Sequence, residues 1–258
     1  MKEYALVTGA SRGIGRSIAL QLAGLGYNLL LVSRSETELQ QLADLIRKDH
    51  KVNTDYLAID LSKNGAASKL SDLCKDLTVP VSVLINNAGF GMWGNFEELD
   101  LEEQMKMLNL NINTLVELTY FLQPALKKQK QAFILNVSST AAYQAVPTLA
   151  LYAASKAFVL SFSRALRYEL KDTNISVSCL CPGPTDTGFA HQAGMDALAD
   201  LAAKFNMTAN EVAQIGLKGM FGKKAEIIPG FLNKISSFAA RHLGKSMIER
   251  VTAGLYKP

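Results

Sequence analysis

Cysteine and histidine are scarce in this chain, and neither occurs in a spacing that binds a metal ion. The 258 residues include three cysteines and three histidines. Cys74 stands alone, whereas Cys179 and Cys181 would share one face of an apolar strand. These residues provide neither an even disulfide framework nor a cluster of metal ligands. We therefore expect buried free thiols, no metal site and a reducing, cytoplasmic environment.

Long apolar runs and a large charge excess are also missing. No apolar run approaches the roughly 20 residues that span a bilayer, and the first residues lack the pattern of a secretory signal. The 27 Lys and Arg residues exceed the 23 Asp and Glu residues by only four. We interpret this excess as too small and too scattered to indicate a nucleic acid partner. With no linker or repeat, residues 1–258 are predicted to form one domain.

Short apolar runs alternate with segments of helical spacing along most of the chain. The predicted strands cover residues 4–7, 28–32, 54–59, 81–85, 132–137, 175–180 and 225–228. The predicted helices cover 14–25, 36–49, 65–76, 101–128, 149–170 and 230–243, with a break at Pro124 and a bend at 109–113. This alternation predicts an α/β fold of the Rossmann type, a doubly wound, mainly parallel sheet of seven strands with helices on both faces. Its ligand site would lie at the carboxyl ends of the strands.

A glycine-rich turn connects the first predicted strand to the first predicted helix. Residues 8–15 read TGASRGIG. Glycine permits a tight turn and a close approach of the backbone to a pyrophosphate, while the N–H groups that open the helix favour an anion. The turn therefore predicts a dinucleotide site, whose candidate contacts are Gly9, Ser11, Arg12, Gly13, Ile14 and Gly15.

The end of the second predicted strand indicates which dinucleotide binds. Dehydrogenases of this fold that use NAD place a carboxylate there to bind the ribose 2′-hydroxyl. This chain has Ser33 and Arg34 instead, and Arg12 lies in the glycine turn. Because a guanidinium group suits a 2′-phosphate, these residues predict NADP(H) as the cofactor.

Tyr152 and Lys156 are four residues apart in a predicted helix, and Ser139 precedes the tyrosine by thirteen residues. Side chains with the four-residue spacing project from one helix face. A nearby ammonium group favours the phenolate and so lowers the pKa of a tyrosine, which is about 10 when unperturbed. The serine could hold the oxygen of a carbonyl substrate. The set predicts proton transfer to that oxygen, although Tyr-x-x-x-Lys alone also occurs on ordinary surface helices.

The glycine turn and the Ser139, Tyr152 and Lys156 set, with four other motifs, resemble the short-chain dehydrogenase/reductase family over residues 3–187. The matching motifs follow the family's order: TGASRGIG at 8–15, Asp60 with Leu61, NNAG at 86–89, Asn111, Ser139 with Tyr152 and Lys156, and PGPTDT at 182–187. The resemblance implies a catalytic set of Asn111, Ser139, Tyr152 and Lys156, in which Lys156 also binds the nicotinamide ribose and Asn111 positions a water. Asn109 and Asn113 are close alternatives to Asn111, but the spacing to Pro124 favours Asn111.

The resemblance also implies further cofactor contacts. Asp60 and Leu61 would flank the adenine, and the backbone at Asn87, Ala88 and Gly89 would pass beside the cofactor. The nicotinamide carboxamide would be held by Pro182, Gly183, Thr185 and Thr187. Residues 1–186 would then form the cofactor and catalytic core, and residues 187–258 a segment that covers the substrate.

The implied activity is hydride transfer between NADP(H) and a small carbonyl compound or secondary alcohol, in a homodimer or homotetramer. An apolar substrate pocket could include Phe90, Met92, Trp93, Met195 and Phe221. The common Asp-Gly-Gly ending of the family is absent, which resembles a bacterial branch with loosely defined substrates. Two alternatives are a 3-oxoacyl-thioester reductase, which the absent ending disfavours, and a dinucleotide sensor without catalysis.

The predicted helix at 230–243 is amphipathic. Its apolar face consists of Phe231, Leu232, Ile235, Phe238 and Ala239. We expect this face to cover the substrate site or a subunit contact, with membrane association as the less favoured alternative.

Overall fold

The computed structural model of the protein describes residues 3–76, 80–195 and 206–255. The strands are β1 (Tyr4–Thr8), β2 (Asn28–Ser33), β3 (Thr54–Ala58), β4 (Val81–Asn86), β5 (Ala132–Val137), β6 (Ile175–Leu180), β7 (Thr185–Asp186), β8 (Met207–Thr208) and β9 (Glu226–Ile227). The helices are α1 (Gly13–Gly24), α2 (Glu36–His50), α3 (Ala66–Asp76), α4 (Leu101–Leu108), α5 (Leu115–Lys127), α6 (Ala150–Glu169), α7 (Phe189–Gln192), α8 (Ala209–Phe221), α9 (Phe231–His242) and α10 (Lys245–Leu255).

Seven strands form one sheet in the order β3-β2-β1-β4-β5-β6-β9. Every neighbouring pair is parallel. This arrangement confirms the predicted Rossmann-type α/β fold. The strand order reverses between β1 and β4, and a ligand crevice is expected at that point, outside the carboxyl ends of the strands.

Both faces of the sheet are covered by helices. Along β1, Ala5 and Val7 belong to a hydrophobic cluster that includes residues of α1, α2 and α8, whereas Leu6 belongs to a second cluster with residues of α3, α5 and α6. Successive side chains of a strand point to opposite faces, and here both faces are buried. A strand buried on both sides is therefore apolar throughout, which is why these strands could be recognised as continuous apolar runs.

The predicted break at Pro124 is wrong, because Pro124 lies inside α5. Proline removes one N–H donor and crowds the carbonyl of the residue four positions earlier. That residue is Tyr120, which is 74% exposed, so the disturbed turn faces solvent. The bend predicted at 109–113 is a π-helical segment, Asn109–Thr114, which joins α4 to α5 without a loop.

The last third of the chain was only partly anticipated. The predicted strand at 225–228 is present as β9 and the helix at 230–243 as α9. The two-stranded sheet of β7 and β8 and the final helix α10 were not predicted. Thr208 begins α8 with a capping box that it forms with Glu211. Residues 196–205, part of the segment predicted to cover the substrate, lie outside the described residues.

Two features are absent from residues 3–76, 80–195 and 206–255. No helix there is long and apolar enough to cross a membrane. The same residues contain no group of three His, Cys, Asp or Glu side chains that could hold a metal ion. All three cysteines are buried and free, as expected.

Candidate active site

Thr8 joins the glycine turn to the segment after β4. Its hydroxyl donates to the carbonyl oxygen of Ile85 at 3.1 Å and accepts from the backbone N–H groups of Asn87 and Ala88, both at 3.0 Å. β1 and β4 are neighbours in the sheet, so these bonds align their carboxyl ends. Sequence reasoning did not single out Thr8. A buried hydroxyl at the last position of an otherwise apolar strand is the signal that could have identified it.

The Asn87 side chain also hydrogen-bonds to the glycine turn. Its Nδ2 donates to the carbonyl oxygens of Thr8 at 2.9 Å and Gly9 at 3.1 Å. Gly9 has φ +64°, and a Cβ there would lie 2.7 Å from Asn87 Nδ2. At Gly15 a Cβ would lie 2.2 Å from the Gly9 carbonyl oxygen. Both positions therefore require glycine, for backbone conformation and for close packing.

Ser33 and Arg34 lie where β2 ends, on the same side of the sheet as the glycine turn. The Ser33 hydroxyl is buried and has no hydrogen-bond partner among the described residues. Arg34 is exposed, and so is Arg12, whose guanidinium lies 3.9 Å from a carboxylate oxygen of Glu38. The site edge therefore contains two exposed guanidinium groups and one unpaired hydroxyl.

Asp60 follows β3, next along this edge. Its Oδ1 accepts hydrogen bonds from the backbone N–H of Ser62 at 3.0 Å and the Ser62 hydroxyl at 2.7 Å. Partial burial raises the pKa of the Asp60 carboxyl, but the two bonds from Ser62 outweigh burial and hold that pKa below its ordinary value. Leu61 is buried, and its carbonyl oxygen accepts from the Thr114 hydroxyl at 2.6 Å.

Tyr152 and Lys156 lie on one face of α6, and both are buried, with exposures of 9% and 6%. The ammonium nitrogen of Lys156 lies 5.7 Å from the centre of the Tyr152 ring and donates to the Val137 carbonyl oxygen at 3.1 Å. Burial disfavours the charged form and lowers the pKa of Lys156 to about 8. A pair of this kind differs physically from the solvated pair that the same spacing produces on a surface helix.

Asn111 lies beside this lysine, in the π-helical segment. Its side chain donates to the Phe90 carbonyl oxygen at 3.0 Å and the Ser155 hydroxyl at 3.1 Å, and accepts from the Phe90 N–H at 3.2 Å. A Cβ at Gly89 would lie 2.8 Å from Asn111 Oδ1 and 3.3 Å from Lys156 Nζ. The missing side chain at Gly89 thus leaves room for both groups.

The alternative asparagines point elsewhere. Asn109 donates to the Ser62 carbonyl oxygen, and Asn113 donates to Asn109 at 2.9 Å. Of the three asparagines, the structure brings Asn111 to Lys156. The π-helical turn is the feature that sets this position, and π-turns occur often at functional sites.

Ser139 begins a short 3₁₀ helix, Thr140–Tyr143, after β5. Its Oγ accepts from the Ala141 N–H at 3.1 Å, so the serine caps the first turn. Ser139 is two residues from Val137, the partner of Lys156 Nζ. The same short segment therefore positions both the serine and the lysine.

The segment 182–187 closes the other side of the crevice. The Thr140 N–H donates to the Pro182 carbonyl oxygen at 2.9 Å, which ties this segment to the loop of Ser139. A Cβ at Gly13 would lie 2.8 Å from Thr187 Cβ, so Thr187 packs against the glycine turn. Thr185 donates to the Gly183 carbonyl oxygen at 2.9 Å.

Asn233 of α9 also belongs to this neighbourhood, and sequence reasoning missed it. A Cβ at Gly183 would lie 2.3 Å from Asn233 Oδ1. The Asn233 amide donates to the Pro229 carbonyl oxygen at 2.8 Å, which fixes its orientation. Helix α9 thus contacts the 182–187 segment through the polar side chain of Asn233.

Four of the five proposed pocket residues gather around Tyr152. Phe90, Met92, Trp93 and Met195 pack against a buried cluster that contains Tyr152, together with Phe189, whose ring centre lies 5.4 Å from that of Tyr152. The expectation for Phe221 is wrong. Phe221 packs against the rings of Tyr27 and Phe133, in the core on one face of the sheet.

Comparisons with known proteins agree with this architecture. A sequence model described as short chain dehydrogenase matches residues 3–198. A very-long-chain 3-oxoacyl-CoA reductase of Laccaria bicolor is 37% identical over 180 residues, which cover 69% of this chain and 53% of that protein. The ketoacyl reductase HetN of Nostoc sp. is 32% identical over 226 residues, or 86% of this chain and 77% of HetN. The chain spans about half the length of the first curated relatives it matches.

Solved structures with this fold carry either nicotinamide dinucleotide. The short-chain dehydrogenase of Sphingobium yanoikuyae in complex with NADPH superposes with a TM-score of 0.82 at 26% identity, over 95% of this chain and 97% of that one. A short chain dehydrogenase/reductase of Burkholderia phymatum in complex with NAD has a TM-score of 0.84 at 23% identity, over 92% of each chain, and that likeness supports the fold alone. On the extent of the sequence match, the chain belongs to the short chain dehydrogenase family.

Proposed function

We propose that this short-chain oxidoreductase transfers a hydride between NADP(H) and an apolar carbonyl compound or secondary alcohol. The observation that carries the proposal is the buried pair of Tyr152 and Lys156, with Asn111 beside it, at the sheet edge that also bears the glycine turn. Such a pair is costly to bury and unnecessary for packing, so a chemical role explains it better than a structural one.

The residues at this edge fit a nicotinamide dinucleotide. Gly9 and Gly15 leave the backbone open where any side chain would clash, and the unpaired Ser33 hydroxyl is a buried group that needs a partner. The glycine turn and the N-terminus of α1 would bind the pyrophosphate, Asp60 and Leu61 would flank the adenine, and residues 87–89 and 182–187 would hold the nicotinamide side. The bound nicotinamide would supply or accept the hydride.

The side chains of the catalytic set have separate tasks. The Tyr152 phenol would give its proton to the substrate oxygen, or remove it in the oxidative direction. Ser139 would donate a hydrogen bond to that oxygen. Lys156, held by the Val137 carbonyl, would favour the phenolate and also bind the nicotinamide ribose. Asn111 would position a water that connects Lys156 to solvent.

The preference for NADP(H) is supported by the charges at the end of β2. Arg34 and Arg12 are exposed there, and no carboxylate occupies the positions of Ser33 and Arg34. Glu38 lies near Arg12 and partly offsets its charge, so Arg34 is expected to be the main contact of a 2′-phosphate.

An apolar substrate is supported by the surroundings of Tyr152. Phe90, Met92, Trp93 and Phe189 pack around it, and a cavity beside it is lined by residues that include Phe96, Leu99 and Met107. A 3-oxoacyl thioester is the second candidate, because the relatives from Laccaria and Nostoc are named as reductases of such acyl substrates.

A homo-oligomer is also proposed. Tyr120 on α5 and Tyr168 on α6 are 74% and 69% exposed, and Phe158 on α6 is 41% exposed. Aromatic side chains of this kind are typical of subunit contacts.

The substrate class can be tested by following NADPH oxidation with matched panels of bulky apolar ketones and 3-oxoacyl thioesters. We expect the ketones to have the higher kcat/KM. A thioester that exceeds every ketone at least tenfold would transfer the assignment to the second candidate. Complete absence of turnover with both panels, while NADPH still binds, would favour the dinucleotide sensor.

Replacement of Tyr152 by phenylalanine removes only the phenolic oxygen. We expect kcat to fall about 10²–10⁴-fold, because the proton donor is lost, with little change in the Kd for NADPH measured by fluorescence titration. Tyr168→Phe, at an exposed position of the same helix, is the matched control. Wild-type turnover in Tyr152→Phe would contradict the assignment.

Replacement of Arg34 by alanine tests the recognition of the 2′-phosphate. We expect the KM for NADPH to rise roughly tenfold or more, since a charge-assisted hydrogen bond is lost, while the KM for NADH stays nearly constant. Arg250→Ala, at an exposed arginine of α10, should change neither value. An equal rise for both cofactors would argue against 2′-phosphate binding.

The lowered pKa of Lys156, about 8, predicts a pH dependence of stability. An unfolded lysine stays protonated up to about pH 10.4, so between about pH 8 and 10.4 the unfolded state binds more protons than the folded state. Wild-type stability should therefore rise between pH 8 and pH 10 by roughly 2 kcal/mol relative to Lys156→Met. Urea unfolding at pH 8 and pH 10 measures the difference, and parallel curves would contradict it.

A further inference from the structure

The net positive charge of the chain is concentrated at its C-terminal end. Residues 229–258 contain five of the 27 Lys and Arg residues and one of the 23 Asp and Glu residues. The preceding 228 residues therefore contain 22 of each and are neutral, so all four excess charges lie in the last thirty residues. The expectation that the excess is scattered is wrong.

The same segment exposes a row of large apolar side chains. On α9, Phe231 is 74% exposed, Leu232 62%, Ile235 51% and Phe238 63%. Phe231, Ile235 and Phe238 are spaced by four and three residues, so they form one helix face. On α10, Met247 and Val251 are 51% and 55% exposed and are also four residues apart. This face points to solvent, so the expectation that it covers the substrate site is wrong, while the alternative expectation of a subunit contact stays a prediction.

Polar contacts on the opposite face hold α9 in this orientation. Ser237 is 2% exposed, and Asn233 packs against Gly183. Arg241 forms an ion pair with Glu226, and its guanidinium lies 4.4 Å from the centre of the Tyr143 ring. The inner face is thus small and polar while the outer face is apolar, the reverse of an ordinary surface helix.

Cationic side chains border the apolar row. Lys234 lies beside Ile235 on α9, Lys245 begins α10 and Arg250 precedes Val251, and all three are exposed. An exposed apolar face bordered by cations is the arrangement of a helix that lies in the plane of a membrane interface. Anionic lipid headgroups complement the charge, and the acyl region accepts the phenylalanines.

We propose that α9 and α10 dock the protein on the surface of an anionic lipid bilayer. Phe231, Ile235 and Phe238 enter the interface, and Lys234, Lys245 and Arg250 contact the headgroups. A second copy of the chain fits this face less well, because a symmetric contact would bring the exposed Lys234, Lys245 and Arg250 of both copies together. The inner sides of the two helices lie next to the candidate active site, since Asn233 contacts Gly183 and the Thr252 hydroxyl donates to the Ala145 carbonyl oxygen at 3.3 Å. The inference does not rest on the catalytic assignment.

Co-sedimentation of the full chain with vesicles tests the proposal. We expect binding to vesicles of phosphatidylcholine and phosphatidylglycerol, weak binding to phosphatidylcholine alone, and weaker binding to the anionic vesicles as salt screens the charges. The double variant Phe231→Ser/Phe238→Ser should bind the anionic vesicles at least tenfold more weakly. Leu25→Ser/Leu101→Ser, which removes two comparably exposed apolar side chains elsewhere, should bind as wild type.

A charge variant separates the two contributions. Lys234→Gln/Lys245→Gln should lower the affinity for anionic vesicles roughly 30-fold, because each lysine near a charged surface is worth about fivefold, while the weak binding to neutral vesicles stays unchanged. All substituted residues are exposed, so the fold should persist, and circular dichroism checks this.

Two results would overturn the proposal. One is equal sedimentation of the wild type with and without anionic lipid. The other is a change of oligomeric state in Phe231→Ser/Phe238→Ser, measured by light scattering, without any binding of the wild type to vesicles. That second result would assign the face to another copy of the chain.

Discussion

The buried ammonium group of Lys156 is the constraint on which the arrangement of the site depends. A charge in the interior costs several kcal/mol unless polar groups compensate it, and Lys156 is only 6% exposed. Its partner is the Val137 carbonyl at the end of β5, and the Ser138 hydroxyl bonds the carbonyl of Lys156 itself at 2.7 Å. These two bonds join α6 to the strand end in both directions, so strand and helix cannot shift separately. The two bonds do not compensate fully for the burial of the charge, and the pKa of Lys156 is therefore still lowered.

Close contacts at the sheet edge follow from this constraint and from the fold. Asn111 and Lys156 can both approach the segment after β4 because Gly89 has no side chain. The glycine turn meets Asn87 in the same way at Gly9. The site is therefore held together by backbone contacts between strand ends, with few long side chains.

Periodicity in the sequence predicted the fold because the strands are buried on both faces. The interior of a strand such as β1 is continuously apolar, from Ala5 to Val7, and the helical spacing of the next segment marks where the strand has ended. Spacing also predicted the group at Tyr152, Lys156 and Asn111. It could not identify Thr8, whose role depends on β1 and β4 being neighbours, residues 77 apart in the chain. Phe221 was misassigned for the same reason. Its position in the sequence suggested a place in the substrate pocket, but its ring packs against Phe133 in the core on one face of the sheet.

The orientation of the C-terminal helices could not be predicted from the sequence pattern. Periodicity established that α9 has an apolar face, but not which way that face points. The ordinary expectation is inward, because burial of apolar surface stabilises most helices. Here Asn233 and Arg241 fix the polar face inward, since Gly183 and Glu226 provide a close-packed position and a charge partner. Ser237 is buried on the same face. The direction of an amphipathic helix thus depends on what its polar face can bind. Because the exposed apolar side chains and the excess of cationic residues then lie on one outer segment, that segment has the two properties that bring a protein to an anionic membrane surface.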